Sequence, residues 1–183
     1  MKKRTAKRKS PPARTSSKKK ARAKKSSVKI VLDQILVPVD FSDNSKKALQ
    51  YAIPFAEQFH ASITVLYIVE PAVFPSDFGF GQMSFPDVER EMVEKAETEL
   101  QKIVDELPAT VKFHPVVLSG IPFVEVTTYA DEHDIGLIIL ATHGRTGVEH
   151  ILFGSTAEKI IRKSPCPVLV VRAEEHEFID DRV

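Results

Sequence analysis

Glycine and hydroxyl residues between positions 141 and 156 form the segment of the chain best suited to binding a charged ligand. They are Ala141-Thr-His143-Gly144-Arg145-Thr-Gly147, followed after six residues by Gly154-Ser155-Thr156. Glycines let backbone amides approach a ligand closely, and a helix beginning at Ser155 would offer amides with no partner inside the helix. Those amides, the helix dipole and the hydroxyls favour a phosphate or another anion. Turn glycines followed by an N-cap serine are the alternative interpretation.

Other chemistries find little support in the sequence. The six histidines match no metal-ligand spacing such as H-E-x-x-H, so we expect no metal site. Spacing alone identifies neither a Ser-His-Asp arrangement nor a carboxylate pair, and no residue stands out as a general base for attack of water on a γ-phosphate. The single cysteine, Cys166, lies between two prolines and is expected to be inert. It cannot form a disulfide within the chain, which fits a reducing cytoplasm.

Five short apolar segments alternate with segments of helical periodicity, and these elements would position the residues around Gly154. The predicted strands cover residues 34–39, 63–69, 111–118, 136–141 and 167–172. The predicted helices cover residues 44–59, 86–107, 122–133 and 155–162, with Ser42 and Asp43 as N-cap candidates for the first. Strands that are apolar on both faces and alternate with helices predict a doubly wound α/β fold around a parallel sheet. Ligands in such sheets bind beyond the carboxyl ends of the strands, where the strand order reverses.

Three motifs of the chain resemble the universal stress protein family. The segment Ala141-x2-Gly144-x9-Gly154-Ser155 is similar to the family's nucleotide loop, G-x2-G-x9-G-[S/T]. Ile35-Leu-Val-Pro-Val-Asp-Phe-Ser is similar to its first strand, and Ser164-Pro-Cys-Pro-Val-Leu-Val-Val is similar to its closing strand. The motifs occur in the family's order and span about residues 33–172. The resemblance implies a single domain with a five-stranded parallel sheet in the order 3-2-1-4-5.

The resemblance also implies a site for ATP or a related adenine nucleotide, alone or with Mg²⁺. Asp40, with Pro38 and Val39, would lie against the adenosine, and Asp40 would accept a hydrogen bond from the ribose or the adenine. The backbone of Ile68 would contact the adenine. A turn acid after a strand is the alternative interpretation of Asp40 taken on its own.

The phosphate end of the implied site comes from the glycine-bearing segment. Gly144 and Gly154 would let the loop close over the phosphates, and Ser155 and Thr156 would bind phosphate oxygens. Arg145 either adds a charge-assisted bond or points to solvent. The full set of nucleotide-binding residues expected is Pro38, Val39, Asp40, Ile68, Ala141, His143, Gly144, Arg145, Gly154, Ser155 and Thr156.

Ala141 stands where the family's motif has its first glycine. Alanine adds only a methyl group, but a left-handed φ angle costs alanine more than it costs glycine. If the loop needs a left-handed residue here, the alanine would weaken nucleotide binding. The backbone conformation of Ala141 therefore decides whether this departure from the motif matters.

The fifth predicted strand would lie at one edge of the sheet and is apolar on both faces. An exposed apolar edge favours association, and the same strand of a second copy, related by a two-fold axis, is the simplest cover. The resemblance points the same way, because members of the family pair through this strand. We expect a homodimer through Val168–Arg172.

The charge of the chain is strongly segregated. Residues 1–28, the basic tail, hold 13 of the 26 Lys and Arg and no acid, whereas all 25 Asp and Glu lie beyond them. The basic tail has no Leu, Ile or Phe, so we expect it to be disordered. Its charge predicts non-specific, salt-dependent binding to nucleic acid or another polyanion. A solubilising role, docking on the acidic remainder of the chain and an organellar transit peptide are the alternatives.

Together these features predict three segments and one function. The segments are the basic tail 1–28, a nucleotide-binding domain 29–174 and a loose acidic C-terminus 175–183. No apolar run approaches the roughly 20 residues of a membrane span, so we expect a cytoplasmic protein, with nucleoid association through the tail as a further expectation. The predicted function is a stress sensor that binds nucleotide as a homodimer with little turnover. A slow ATPase, and a nucleic-acid-associated protein whose body dimerises the tail, are the alternatives.

Overall fold

The computed structural model describes residues 29–71, 86–142 and 154–172. The strands are β1 Gln34–Val39, β2 Ser62–Val69, β3 Phe113–Ser119, β4 Leu137–Ala141 and β5 Val168–Val171. The helices are α1 Asp43–Phe59, α2 Pro86–Asp105, α3 Pro122–Glu132 and α4 Ser155–Lys163. Predictions that concern residues 1–28, 72–85, 143–153 and 173–183 lie outside the described ranges. Inside those ranges, no helix combines the length and the apolar character that crossing a membrane requires.

The strands pair in parallel in the order β3-β2-β1-β4-β5. β1 lies at the centre, where Ile35 pairs with Ile63 of β2 on one side and with Leu137 of β4 on the other. The chain forms β2 and β3 on one side of β1 and then returns to form β4 and β5 on the other. The strand order therefore reverses between β1 and β4, which is where doubly wound sheets bind their ligands. The predicted fold and strand order are confirmed.

Different pairs of helices cover the two faces of the sheet. Ile35 and Val37 belong to a buried cluster with residues of α1 and α2. Leu36, which lies between them, belongs to a second cluster with residues of α3 and α4. Successive side chains of a strand point to opposite faces, so β1 is buried on both. That double burial explains why the sequence of β1 is apolar throughout instead of alternating.

The elements predicted from the sequence differ from the observed ones by at most two residues at either end. α1 begins as expected because Ser42 is its N-cap, with Ser42 Oγ accepting a hydrogen bond from the Ser45 amide at 3.2 Å. Asp43 is consequently the first residue of the helix and not its cap. His60 is the C-cap of α1: its φ of 58° is left-handed, and its amide donates to the Ala56 carbonyl.

Candidate functional site

A cavity opens at the carboxyl edge of the sheet, mainly on the face that α3 and α4 cover. Its volume is about 380 Å³, inside the range of roughly 300–1,000 Å³ typical of small-molecule sites. The ends of β1, β2 and β4 form one wall, and α3 and the beginning of α4 form another. The lining residues are Pro38, Val39, Asp40, Ser45, Leu66, Tyr67, Ile68, Glu70, Pro122, Val126, Leu140, Ala141, Thr142, Gly154, Ser155, Thr156, Ala157 and Ile160.

The first residue after each of the three strands at this edge is polar. Asp40 follows β1, Glu70 follows β2 and Thr142 follows β4, and all three line the cavity. Leu66 and Ile68 of β2 pack on the face of α3 and α4, and the alternation of side chains places Glu70 in the same row. Because β2, β1 and β4 are neighbours in the sheet, their polar residues lie along one edge beyond an apolar floor.

Hydrogen bonds in the turn after β1 hold Asp40 in place. Asp40 Oδ1 accepts from the Ser42 hydroxyl at 2.5 Å and from the Ser42 amide at 3.1 Å. The Asp40 amide donates to Ser45 Oγ at 3.3 Å, and Ser45 Oγ in turn donates to the Ser42 carbonyl at 2.9 Å. The turn interpretation of Asp40 is therefore observed, and the same residue also lines the cavity.

Phe41, the next residue, has an unusual backbone conformation. Its φ is 65°, in the left-handed region that costs an L residue other than glycine about 1–2 kcal/mol. The Phe41 ring stacks on Tyr67 of β2, with ring centroids 4.3 Å apart and ring planes at 20°. Aromatic pairs of this kind contribute about 0.5–1.5 kcal/mol beyond their burial, which offsets much of the backbone cost. The stack connects the turn that carries Asp40 to β2.

Two backbone hydrogen bonds of Thr142 connect β4 to its neighbours. The Thr142 amide donates to the Val171 carbonyl of β5 at 3.0 Å, and the Thr142 carbonyl accepts from the Gly154 amide at 2.8 Å. Thr142 is buried, so neither bond competes strongly with water. The second bond holds the beginning of α4 beside the end of β4, although residues 143–153 intervene in the sequence.

α4 directs its amino end toward the cavity. Gly154 is its N-cap, and Gly154, Ser155 and Thr156 all line the cavity. The first amides of a helix have no acceptor inside it, and the helix dipole favours negative charge at this end. The Gly154 amide already donates to Thr142, so the amides that follow it, beginning with Ser155, are the candidates for binding an anion.

Ala141 ends β4 in a regular strand conformation. It pairs with Val171 and has no positive φ angle. Its methyl group packs with the buried cluster on the face of α1 and α2. The condition under which alanine would weaken binding, a left-handed φ at this position, is therefore not met. Gly154 likewise has an ordinary φ of −62°, although a Cβ there would lie 3.4 Å from the Thr142 carbonyl oxygen.

The cavity brings together most of the residues expected from the sequence. Those that line it are Pro38, Val39, Asp40, Ile68, Ala141, Gly154, Ser155 and Thr156. The remaining three, His143, Gly144 and Arg145, lie outside the described ranges. The sequence reasoning missed Glu70 and Thr142. Both were within its reach, because each directly follows a strand that ends at the ligand edge.

Cys166 is not among the described residues that line this cavity. Across residues 29–71, 86–142 and 154–172, no three His, Cys, Asp or Glu residues come together in a group that could hold a metal ion. Cys166 is half-buried in the turn before β5, where its sulfur lies 3.6 Å from Ser164 Oγ. The chemistry of the described cavity is therefore that of carboxylates, hydroxyls, backbone amides and apolar side chains.

A doubly wound sheet with a cavity at its point of reversal defines a class of ligand-binding α/β domains. Comparison with known proteins makes the class specific. The model of the universal stress protein family matches residues 32–172. Universal stress protein MJ0531 of Methanocaldococcus jannaschii is 34% identical over 147 residues, which cover 79% of this chain and 84% of that protein. The chain belongs to the universal stress protein family.

Solved structures of universal stress proteins share the fold. UspA from Lactobacillus plantarum is 25% identical with a TM-score of 0.63, over 79% of this chain and 100% of its own. A universal stress protein in complex with cAMP is 20% identical with a TM-score of 0.57, over 79% and 100% of the two chains. One from Archaeoglobus fulgidus in complex with dAMP is 24% identical with a TM-score of 0.52, over 77% and 98%. Because the last two proteins are only 20% and 24% identical to this chain, they show that the fold is shared and nothing more.

Replacing Ser42 with alanine tests the turn that holds Asp40. The change removes both the N-cap acceptor and the hydroxyl donor to Asp40, so we expect the free energy of unfolding in urea to fall by about 1–2 kcal/mol. Asp43→Ala is the matched control, since the exposed Asp43 carboxylate makes a 3.9 Å ion pair with Lys46. That variant should lose about 0.5 kcal/mol or less. Equal losses would show that the Ser42 hydrogen bonds do not stabilise the turn.

Proposed function

We propose that this chain binds ATP or a related adenine nucleotide in the cavity and acts as a nucleotide sensor in stress response, with little turnover. The observation that carries the proposal is the cavity at the reversal point of the sheet, where an apolar floor, a carboxylate and the amino end of a helix meet. The family supports it, because universal stress proteins have been solved in complex with cAMP and with dAMP, and both ligands are adenine nucleotides.

The apolar part of the lining suits a nucleoside base. Ile68 is half-buried at the cavity and provides apolar contact area, and the buried Leu66 and Val126 form the floor beneath it. Asp40 lies beside them and provides an acceptor for a ribose hydroxyl or the adenine amino group. Ser42 already donates to Asp40 Oδ1 twice, so the carboxylate is held in one orientation. We therefore assign Asp40 to binding and not to proton transfer.

The amino end of α4 suits the phosphates. Phosphate oxygens can accept hydrogen bonds from the amides after Gly154 and from the hydroxyls of Ser155 and Thr156. Such binding does not require a buried cation. Hydrogen bonds to a charged acceptor contribute about 1.5–3 kcal/mol each, so a few suffice to anchor a nucleotide. That His143, Gly144 and Arg145 also contribute to phosphate binding remains a prediction from the sequence.

Thermal melting of the chain with and without ATP, in the presence and in the absence of Mg²⁺, tests nucleotide binding. At about 100 times its dissociation constant, ATP should stabilise the chain by about 2.7 kcal/mol. Thr156→Val removes a phosphate-binding hydroxyl and should weaken ATP binding about tenfold. Thr98→Val makes the same chemical change on α2, where the Thr98 hydroxyl donates to the Glu94 carbonyl, and should leave the affinity unchanged.

Two results would contradict this proposal in different ways. If neither ATP nor AMP changes the melting temperature, the cavity is not an adenine nucleotide site. If ATP binds and is hydrolysed to ADP within a few rounds of binding, the chain is better described as a slow ATPase. The proposal of little turnover is then wrong.

We also propose that the chain forms a homodimer through Val168–Arg172. The described sheet has two edge strands, β3 and β5. β3 contains Pro115, which has no N–H to offer to another strand and so protects that edge. β5 consists of valine and leucine residues and has no such protection. The contrast between the edges supports association through β5.

Backbone hydrogen bonds indicate which groups of β5 face the open edge. The carbonyls of Pro167 and Val171 accept from amides on the β4 side of the strand. Alternate residues of a strand direct their backbone groups to opposite sides, so Val168 and Val170 direct theirs away from β4. The β5 strand of a second copy, related by a two-fold axis, would pair with these groups.

Light scattering of the purified chain tests the dimer, for which we expect twice the chain mass of 20.5 kDa. Val170→Pro removes an outward N–H and leaves the hydrogen bonds to β4 in place, so this variant should be monomeric. Val170→Thr keeps the N–H and the approximate volume and should remain dimeric. A monomeric unmodified chain would refute the dimer. If Val170→Pro fails to fold, amide exchange at Val168 and Val170 should slow as the concentration of the unmodified chain rises.

The segregated charge favours a second function, which is binding of the basic tail to nucleic acid and hence to the nucleoid. The tail has 13 Lys and Arg, no acid and no aromatic residue, so it would contact phosphates without reading bases. Gel-shift assays should show that the full chain binds duplex DNA more tightly than a chain beginning at Val28, with an affinity that falls steeply with salt. Equal affinities of the two chains at low salt would exclude this function.

A further inference from the structure

Two lysine side chains of α4 lie on one aromatic ring of α3. Lys159 Nζ is 4.9 Å from the centre of the Phe123 ring, and Lys163 Nζ is 5.0 Å from it. Ammonium groups are attracted to the face of an aromatic ring at such distances. Glu158, the acid of α4, directs its carboxylate to Arg162 at 3.1 Å, and among the described residues no acid forms an ion pair with either lysine. The two positive charges therefore rest on a ring and are not neutralised by a described carboxylate.

These ammonium groups lie beside the candidate nucleotide cavity. Phe123 directly follows Pro122 on α3, and Lys159 follows Thr156 on α4 by about one helical turn. Pro122 and Thr156 both line the cavity. Side chains of a helix tilt toward its amino end, so Lys159 extends from its own turn back toward Thr156. The two lysines therefore form a positively charged rim where α3 and α4 pack together beside the cavity.

The two charges act together on a nearby anion. Both ammonium groups are close to the same ring centre, so they are at most about 10 Å apart, which is about the Debye length at 0.1 M salt. Their mutual repulsion is unfavourable, and an anion placed near both of them offsets it. Both side chains are exposed, so each can turn from the ring toward a ligand without breaking a buried contact.

We infer, on the basis of the proposed nucleotide site, that Lys159 and Lys163 bind the distal phosphates of ATP and make the cavity prefer ATP to AMP. The first phosphate accepts hydrogen bonds from the amides at the amino end of α4, as proposed above. The β- and γ-phosphates extend past Thr156 along the outside of α4, where the lysines lie. AMP has no phosphate that reaches them. The subsite adds affinity for distal phosphates and excludes no monophosphate, so it is compatible with family members solved with cAMP and dAMP.

Calorimetric titration of the full chain with ATP and with AMP, in about 0.1 M salt without divalent cations, tests the inference. We expect ATP to bind at least about tenfold more tightly than AMP. Lys159→Gln should weaken ATP binding about fivefold and AMP binding less than about twofold, because only ATP reaches the lysine. Adding Lys163→Gln should remove most of the remaining preference, whereas Lys159→Arg keeps the charge and should keep the preference.

Arg162→Gln is the matched control for the loss of charge. It also removes one positive charge from an exposed position of α4, but Arg162 pairs with Glu158 and not with the Phe123 ring. Its preference for ATP should equal that of the unmodified chain. The basic tail is the same in every variant, so differences between variants report on α4 alone.

The outcomes separate the inference from the proposed function. If neither ATP nor AMP binds, the nucleotide site itself is wrong. If the two bind with equal affinity, the site stands and the distal phosphate subsite is overturned. If the preference for ATP survives the double lysine variant, the lysines only cover the Phe123 ring and the inference is wrong. If Arg162→Gln weakens ATP binding as much as Lys159→Gln, the effect is one of overall charge and the inference also fails.

Discussion

The parallel pairing of β1 with β2 on one side and β4 on the other is the constraint on which the candidate site depends. Because the three strands run in the same direction and in register, their carboxyl ends reach one edge of the sheet. That edge receives Asp40, Glu70 and Thr142 from three distant parts of the chain. A slip of β1 by one residue would exchange its two buried faces and turn Asp40 away from the cavity. The apolar sequence of β1 on both faces is therefore a condition of the site as well as of the core.

The beginning of α4 is held in place by backbone groups. The hydrogen bond from the Gly154 amide to the Thr142 carbonyl involves no side chain, so substitution at Thr142 need not remove it. The geometry that brings a helix end to the sheet edge is thus a property of the fold. Ser155 and Thr156 stand at this helix end and line the cavity. This arrangement fits a family whose members share the fold at low sequence identity.

The sequence predicted the fold closely because burial on both faces of the sheet leaves a strong signal. Short apolar strands alternate with helical segments, and each observed element lies within two residues of its predicted bounds. At the candidate site, the motif named Asp40 and the residues that begin α4, and these residues line the cavity. Glu70 belongs to no motif, and it joins Asp40 only because the sheet order places β2 beside β1. The type of a residue does not determine its φ angle, so only the structure could show that Ala141 has a strand conformation.

The conformation of Phe41 bears on the energetics of the proposed ligand binding. Its left-handed backbone is an unfavourable local conformation that the stack on Tyr67 maintains as part of the folded state. The turn that carries Asp40 is therefore ordered when the chain folds, and a ligand does not have to restrict it on arrival. Preorganisation of this kind places the entropy loss in folding instead of in association. Each contact with the ligand then has to contribute less binding free energy. At this edge of the sheet, some global stability is exchanged for a rigid wall of the candidate site.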